Sequence, residues 1–125
     1  MILLALAIQA VTPAPAPESD IVVIGRKLDA WRSKLTSEKG RVTCVTKVST
    51  GDAEIDAIGC TVMTECFPKS RSAFEATTAK GLSRGERKRL MTVAEQAMLA
   101  CVMPRRDELV GDLVARRRAV EGRGA

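Results

Sequence analysis

Apolar positions change rhythm several times along this chain, and each change predicts an element. Ile21-Val22-Val23-Ile24 is an unbroken β-branched run stopped by Gly25, which predicts a short buried strand. Leu28, Trp31 and Leu35 then recur at helical steps with Arg and Lys between them. That spacing predicts an amphipathic helix over 26–35, ended by Gly40 or the loop before it. Over 41–50 the period is two: Val42, Cys44, Thr46 and Val48 share one face, and Thr43, Val45 and Lys47 the other, as in a second strand. Ser49-Thr50-Gly51-Asp52 is turn chemistry, with Asp52 or Thr50 able to cap the next helix.

The rest of the pattern is helical. Ile55, Ile58, Val62 and Cys66 form a stripe over 53–67, which Pro68 should stop. Ser72 and Glu75 match a capping box for a short helix over 73–80, with Gly81 suited to the position past its end. Ser83 and Glu86 match a second box, opening a helix to about Met103 whose inner face carries Leu90, Ala94, Ala97 and Cys101. Pro104 should break it, and a last helix over 105–120 presents Leu109, Val110, Leu113 and Val114. The expected fold class is α+β and helix-dominated: about five helices with one or two short strands, stapled by two disulfides. With the first helix as crossover, the strands would be parallel.

Composition adds the compartment. The chain has 125 residues, four cysteines and no histidine. Trp31, Phe67 and Phe74 are its only aromatics, so the core is lean. A disulfide typically contributes about 2–4 kcal/mol to such a core. The run 2–8 is apolar and far below the ~20 residues of a membrane span. The expected organisation is a signal peptide at 1–10, a Pro/Ala-rich linker at 11–19 and a single disulfide-stabilised domain at 20–121. An even cysteine set behind an export-like leader reads as two disulfides, and the protein as periplasmic or secreted.

Cys60 and Cys66 lie on one predicted helix, about 9 Å apart along its axis and pointing about 120° apart. They should not bond each other, because a disulfide needs Cα atoms within about 7 Å. Counted from the turn near Gly51, Cys44 is about 20 Å down its strand and Cys66 about 21 Å down its helix. These heights favour Cys44–Cys66 with Cys60–Cys101. Cys44–Cys60 with Cys66–Cys101 is the second pairing, reached if the turn is displaced.

Candidate chemistry narrows the class. Without His there is no His-based relay, triad or zinc hydrolase. Thr77 and Lys80 sit one helical turn apart and read as a solvated pair rather than a dyad. Asp52, Glu54 and Asp56 briefly suggest calcium ligation, but Ala57 and Met63 stand where an EF-hand loop needs Gly and Glu. No metal and no cofactor is expected, and no enzymatic activity.

Net charge is +5. Arg87-Lys88-Arg89, Arg105-Arg106 and Arg116-Arg117-Arg118 form a possible anion-binding surface, although interleaved acids offer many of them local ion pairs. Stacking aromatics are nearly absent, so nucleic acid is not the expected partner. Asp20-Ile21-Val22-Val23-Ile24-Gly25-Arg26-Lys27 resembles an opening found in small four-cysteine periplasmic proteins of Gram-negative bacteria. The segment from Ser49-Thr50-Gly51-Asp52 to Ile58-Gly59-Cys60 is similar to that group as well, which brings no activity with it. The expectation is a small exported non-catalytic protein that binds an envelope protein or an anionic surface, with no transmembrane span in the mature chain. The alternatives are an inhibitor or immunity-type partner of an envelope enzyme, and a cytosolic four-cysteine zinc protein that binds nucleic acid.

Overall fold

A computed structural model of the chain describes residues 19–123. The expected leader over 1–10, and the linker except Ser19, lie outside the described residues. Within them the order is α1 (Asp20–Ala30), β1 (Arg32–Glu38), β2 (Arg41–Val48), α2 (Ala53–Ala76) and α3 (Arg84–Arg123). Three helices and one antiparallel two-stranded sheet replace the expected five helices. No helix among the described residues is long and apolar enough to cross a membrane.

The run 21–24 is helix, not strand. Ser19 caps α1, its Oγ accepting from the Val22 N–H at 3.3 Å, and Asp20 sits in the first turn, where the helix dipole favours an acid. Only Ile24 of that run is buried, with Leu28 one turn on, while Ile21 and Val22 stay half exposed. The operative stripe is Ile24, Leu28 and Trp31, so Leu28 and Trp31 end a helix that their spacing alone would start at Arg26. Leu35 belongs to β1.

The turn that sequence spacing misread is Lys39-Gly40. Both residues have positive φ, 50° and 78°, and Glu38 faces Arg41 across them. Two left-handed residues between paired strands make the tight turn that matches strand twist. The chain therefore doubles back as a hairpin, with antiparallel rather than parallel pairing. Ser33 and Leu35 of β1, and Val42, Cys44 and Thr46 of β2, turn inward and are half buried.

Pro68 and Pro104 are both carried inside helices. α2 continues through Pro68 and absorbs the Ser72 box, and α3 continues through Pro104. An interior proline costs about 3 kcal/mol in an isolated helix. Here both helices are packed together, with Cys66 and Cys101 bonded close by. The Ser83 cap does form: the Glu86 N–H donates to Ser83 Oγ at 3.1 Å, and the Ser83 hydroxyl in turn donates to the Glu86 carboxylate at 2.9 Å.

α2 is the element on which the others meet. Its stripe of Ile55, Ile58, Val62 and Cys66 packs with Ile24 and Leu28 of α1 and with Met98, Val110, Leu113 and Val114 of α3. Both disulfides leave from it, Cys44–Cys60 to the hairpin and Cys66–Cys101 to α3. This corrects the favoured pairing. The height count treated residues 49–51 as strand, but β2 ends at Val48. Asp56 folds that loop flat, accepting from Ser49 Oγ, from the Thr50 N–H and from Thr50 Oγ1. Measured from the end of β2, Cys44 is four residues up at about 3.4 Å each. Cys60 is eight residues above Asp52 at about 1.5 Å each, and the two heights agree.

Candidate anion-binding surface

The basic clusters of α3 divide into two populations. Arg105 grips Glu65 of α2 through two hydrogen bonds, Nε to Oε2 at 2.7 Å and Nη2 to Oε1 at 3.2 Å, and also pairs with Glu108. Arg106 reaches α1, donating to the Gly25 carbonyl at 2.6 Å and to Asp29 at 2.9 Å. Arg116 pairs with Glu54, Arg117 with Asp52 at 2.7 Å, and Arg118 with Asp20 at 3.7 Å. These five arginines fasten α3 to the other two helices. Their charges are compensated within the fold, so they do not form one anion-binding face with the remainder.

The same pairs shape the acid response. Arg117 holds the Asp52 carboxyl below its usual range against the opposing effect of desolvation, and the backbone N–H groups of Ile55 and Glu54 lower it further. The Ser49 hydroxyl and both donors of Thr50 lower Asp56, and Arg105 lowers Glu65. Carboxyls lowered on folding stabilise the protein above their unfolded pKa, near 4, and lose that contribution as pH falls through their folded values. Asp52→Ala is therefore expected to cost about 1 kcal/mol at neutral pH, mainly as a lost helix cap. Urea titrations should show that deficit shrinking below about pH 4. A deficit that grows on acidification overturns the assignment.

Arg87, Lys88 and Arg89 form the second population. All three are exposed, and with Arg84 they make no ion pair among the described residues. Register explains why. Cys66–Cys101, Glu65–Arg105 and Glu54–Arg116 fix α2 and α3 as antiparallel. By that register the end of α2 at Ala76 lies level with about residue 93 of α3, at ~1.5 Å rise per residue. The first two turns of α3 thus run beyond the end of α2, beside the connecting loop. Arg84, Arg87, Lys88, Met91, Thr92 and Glu95 line one open depression on this stretch.

The hairpin contributes cations that the sequence pattern did not single out. Trp31, at its base, packs over Gly59 and donates from Nε1 to Thr46 Oγ1 at 3.1 Å. Near its tip, Arg71 of α2 donates to Ser37 Oγ at 2.9 Å while lying over the Phe67 ring. The hairpin therefore climbs alongside α2, and its tip points toward the same end of the molecule as the α2–α3 turn. Lys34, Lys39, Arg41 and Lys47 are exposed on it with Glu38 as the only acid of the two strands. The signal available in the sequence was the alternation of 34, 36 and 43, 45, 47, legible once Lys39-Gly40 is read as a turn.

Segments 32–48 and 69–96 together hold twelve basic and four acidic side chains. That excess of eight exceeds the net charge of the whole chain, +5. The positive charge is concentrated at the hairpin and the α2–α3 turn, and the remainder is slightly negative.

Other candidate sites are occupied internally. Thr77 is buried and its hydroxyl donates to the Phe74 carbonyl at 2.6 Å, so it closes the end of α2 rather than pairing with Lys80. A cleft of about 240 Å³ between α1 and the end of α3 is lined by Asp20, Arg117 and Arg118, which are the ion-paired groups. All four cysteines are disulfide-bonded, so no thiolate is left to ligate zinc. Two disulfides point to an oxidising compartment. Comparison with family models, curated proteins and solved structures finds no match to this chain.

Proposed function

We propose that this chain is a small exported protein of the cell envelope with a binding, non-catalytic role, and that its working surface is the basic end. The observation that carries the reading is the segregation of charge. Five arginines are held in internal ion pairs along the middle and C-terminal part of α3, while Arg84, Arg87, Lys88 and Arg89 project at its start, unpaired among the described residues. Cations kept out of internal pairs raise the local potential and favour a negatively charged partner. The two disulfides favour the periplasm or an extracellular space as the site of action.

The test uses the mature protein as bait on an envelope extract, beside Arg87→Glu/Lys88→Glu. Both positions are exposed, so the fold is expected to persist, as circular dichroism would verify. The parent should retain an envelope component that the variant loses, and protein recovered from its native compartment should show no free thiol. Equal capture by parent and variant, or four free thiols in native material, overturns the reading.

A further inference from the structure

The geometry points to an anionic phospholipid bilayer as the partner of the basic end. This rests on the binding role proposed above and names the chemistry of its target.

The distribution of the cations decides between target types. A small anion is held by donors that converge on one point. Here Arg84, Arg87 and Lys88 line an open depression on one face of α3, and Lys39 and Arg41 stand on a separate element whose tip is aimed at the same end. Cations spread over two elements suit an extended array of charges, each neutralised by its own phosphate. A bilayer rich in acidic headgroups is such an array, and each Lys or Arg near its surface contributes about 1 kcal/mol.

The side chains between the cations add a second argument. Met91 lies in the same depression as Arg84, Arg87 and Lys88 and is 37% exposed. Leu99 is about half exposed further along the helix, and Val45 is half exposed on the outer face of the hairpin. Apolar side chains rimmed by Lys and Arg match the boundary between headgroups and acyl chains, which long basic side chains cross with their aliphatic stems. An acidic polymer in water offers nothing to these residues. With few apolar groups in play, the attachment is peripheral, reversible and sensitive to salt.

The experiment is flotation of the mature, oxidised protein with vesicles of phosphatidylcholine alone and with one third phosphatidylglycerol, at low and high salt. The parent should bind only the anionic vesicles, and high salt should weaken that binding. Arg87→Glu/Lys88→Glu should weaken it about thirtyfold or more, two surface cations being removed and reversed. Lys27→Glu/Arg118→Glu makes the same change in net charge at the opposite end, beside the α1–α3 cleft, with circular dichroism to verify that it stays folded without the exposed Arg118–Asp20 pair. It should leave binding within about threefold, since screening confines the attraction to nearby charges. Equal losses in the two variants, or equal binding to neutral vesicles, overturns the inference. So does a parent that ignores vesicles but captures an acidic protein from envelope extract through Arg87 and Lys88. In that last case the binding role stands and only the lipid target falls.

Discussion

Replacing Cys66 and Cys101 together by Ala is expected to lower the melting temperature by about 15–30 °C. The bridge spans 35 residues of sequence, for which loop-closure entropy gives about 4 kcal/mol. For a domain of roughly 100 residues, each kcal/mol shifts the midpoint by about 4–8 °C. The sulfur of Cys66 also lies in the middle of the core, in a residue that is 0% exposed, so its loss leaves a void beside Val62 and Met98. Cys44→Ala/Cys60→Ala should behave differently. No residue of β1 or β2 is fully buried, and an isolated two-stranded hairpin is marginal in water. That variant is expected to free the hairpin while the helices keep a cooperative transition. Thermal unfolding followed at helical wavelengths, with amide exchange over residues 32–48, separates the two cases. Similar exchange at those amides in both variants would overturn the division of labour between the bridges.

Gly59 is the position where a single added carbon should be felt most. A Cβ there would sit 2.8 Å from two atoms of the Trp31 ring, closer than side chains pack. The ring has little room to retreat: Trp31 is 9% exposed and its Nε1–H is committed to Thr46. Overpacking of this kind costs about 1–3 kcal/mol. Part of that is offset, because Gly→Ala in a helix interior gains up to about 1 kcal/mol. Gly111, in the interior of α3, has nothing within 4 Å of its added Cβ, so Gly111→Ala should show the gain alone. The expected order of stability is Gly111→Ala above the parent, Gly59→Ala below it, and Gly59→Leu lowest. Trp31 is the only tryptophan, so its emission reports the same event and should shift to the red in both Gly59 variants. Gly59→Ala matching Gly111→Ala in stability, with unshifted emission, would reject the contact.

Legibility of this fold followed how local each determinant is. β2, the start of α2 and the Ser83 cap were readable, because alternation, an Asp at the cap and a Ser-x-x-Glu box act within a few residues. α1 was misread since β-branched residues favour strands, whereas Ser19 and the buried pair Ile24 and Leu28 make the helix the better solution in context. Pro68 and Pro104 read as stops by a rule that holds for isolated helices. Long-range packing between α2 and α3 overrides it here. The disulfide partners depended on three loop residues that Asp56 folds flat, a detail that spacing alone does not carry. The basic surface was half legible. Arg87, Lys88 and Arg89 stood out as a cluster, but Arg105 and Arg116 looked alike until Glu65 and Glu54 were placed opposite them. Acids distant in sequence decide which arginines are spent.

The two bridges join consecutive cysteines, 44 to 60 and then 66 to 101, so their covalent loops neither cross nor nest. A chain delivered N-terminus first can close the first loop while Cys66 and Cys101 are still to come. The second loop then forms from the only two thiols that remain. Oxidation in order of emergence therefore yields the native connectivity directly. The protein should mature without an intermediate whose disulfides have to be exchanged.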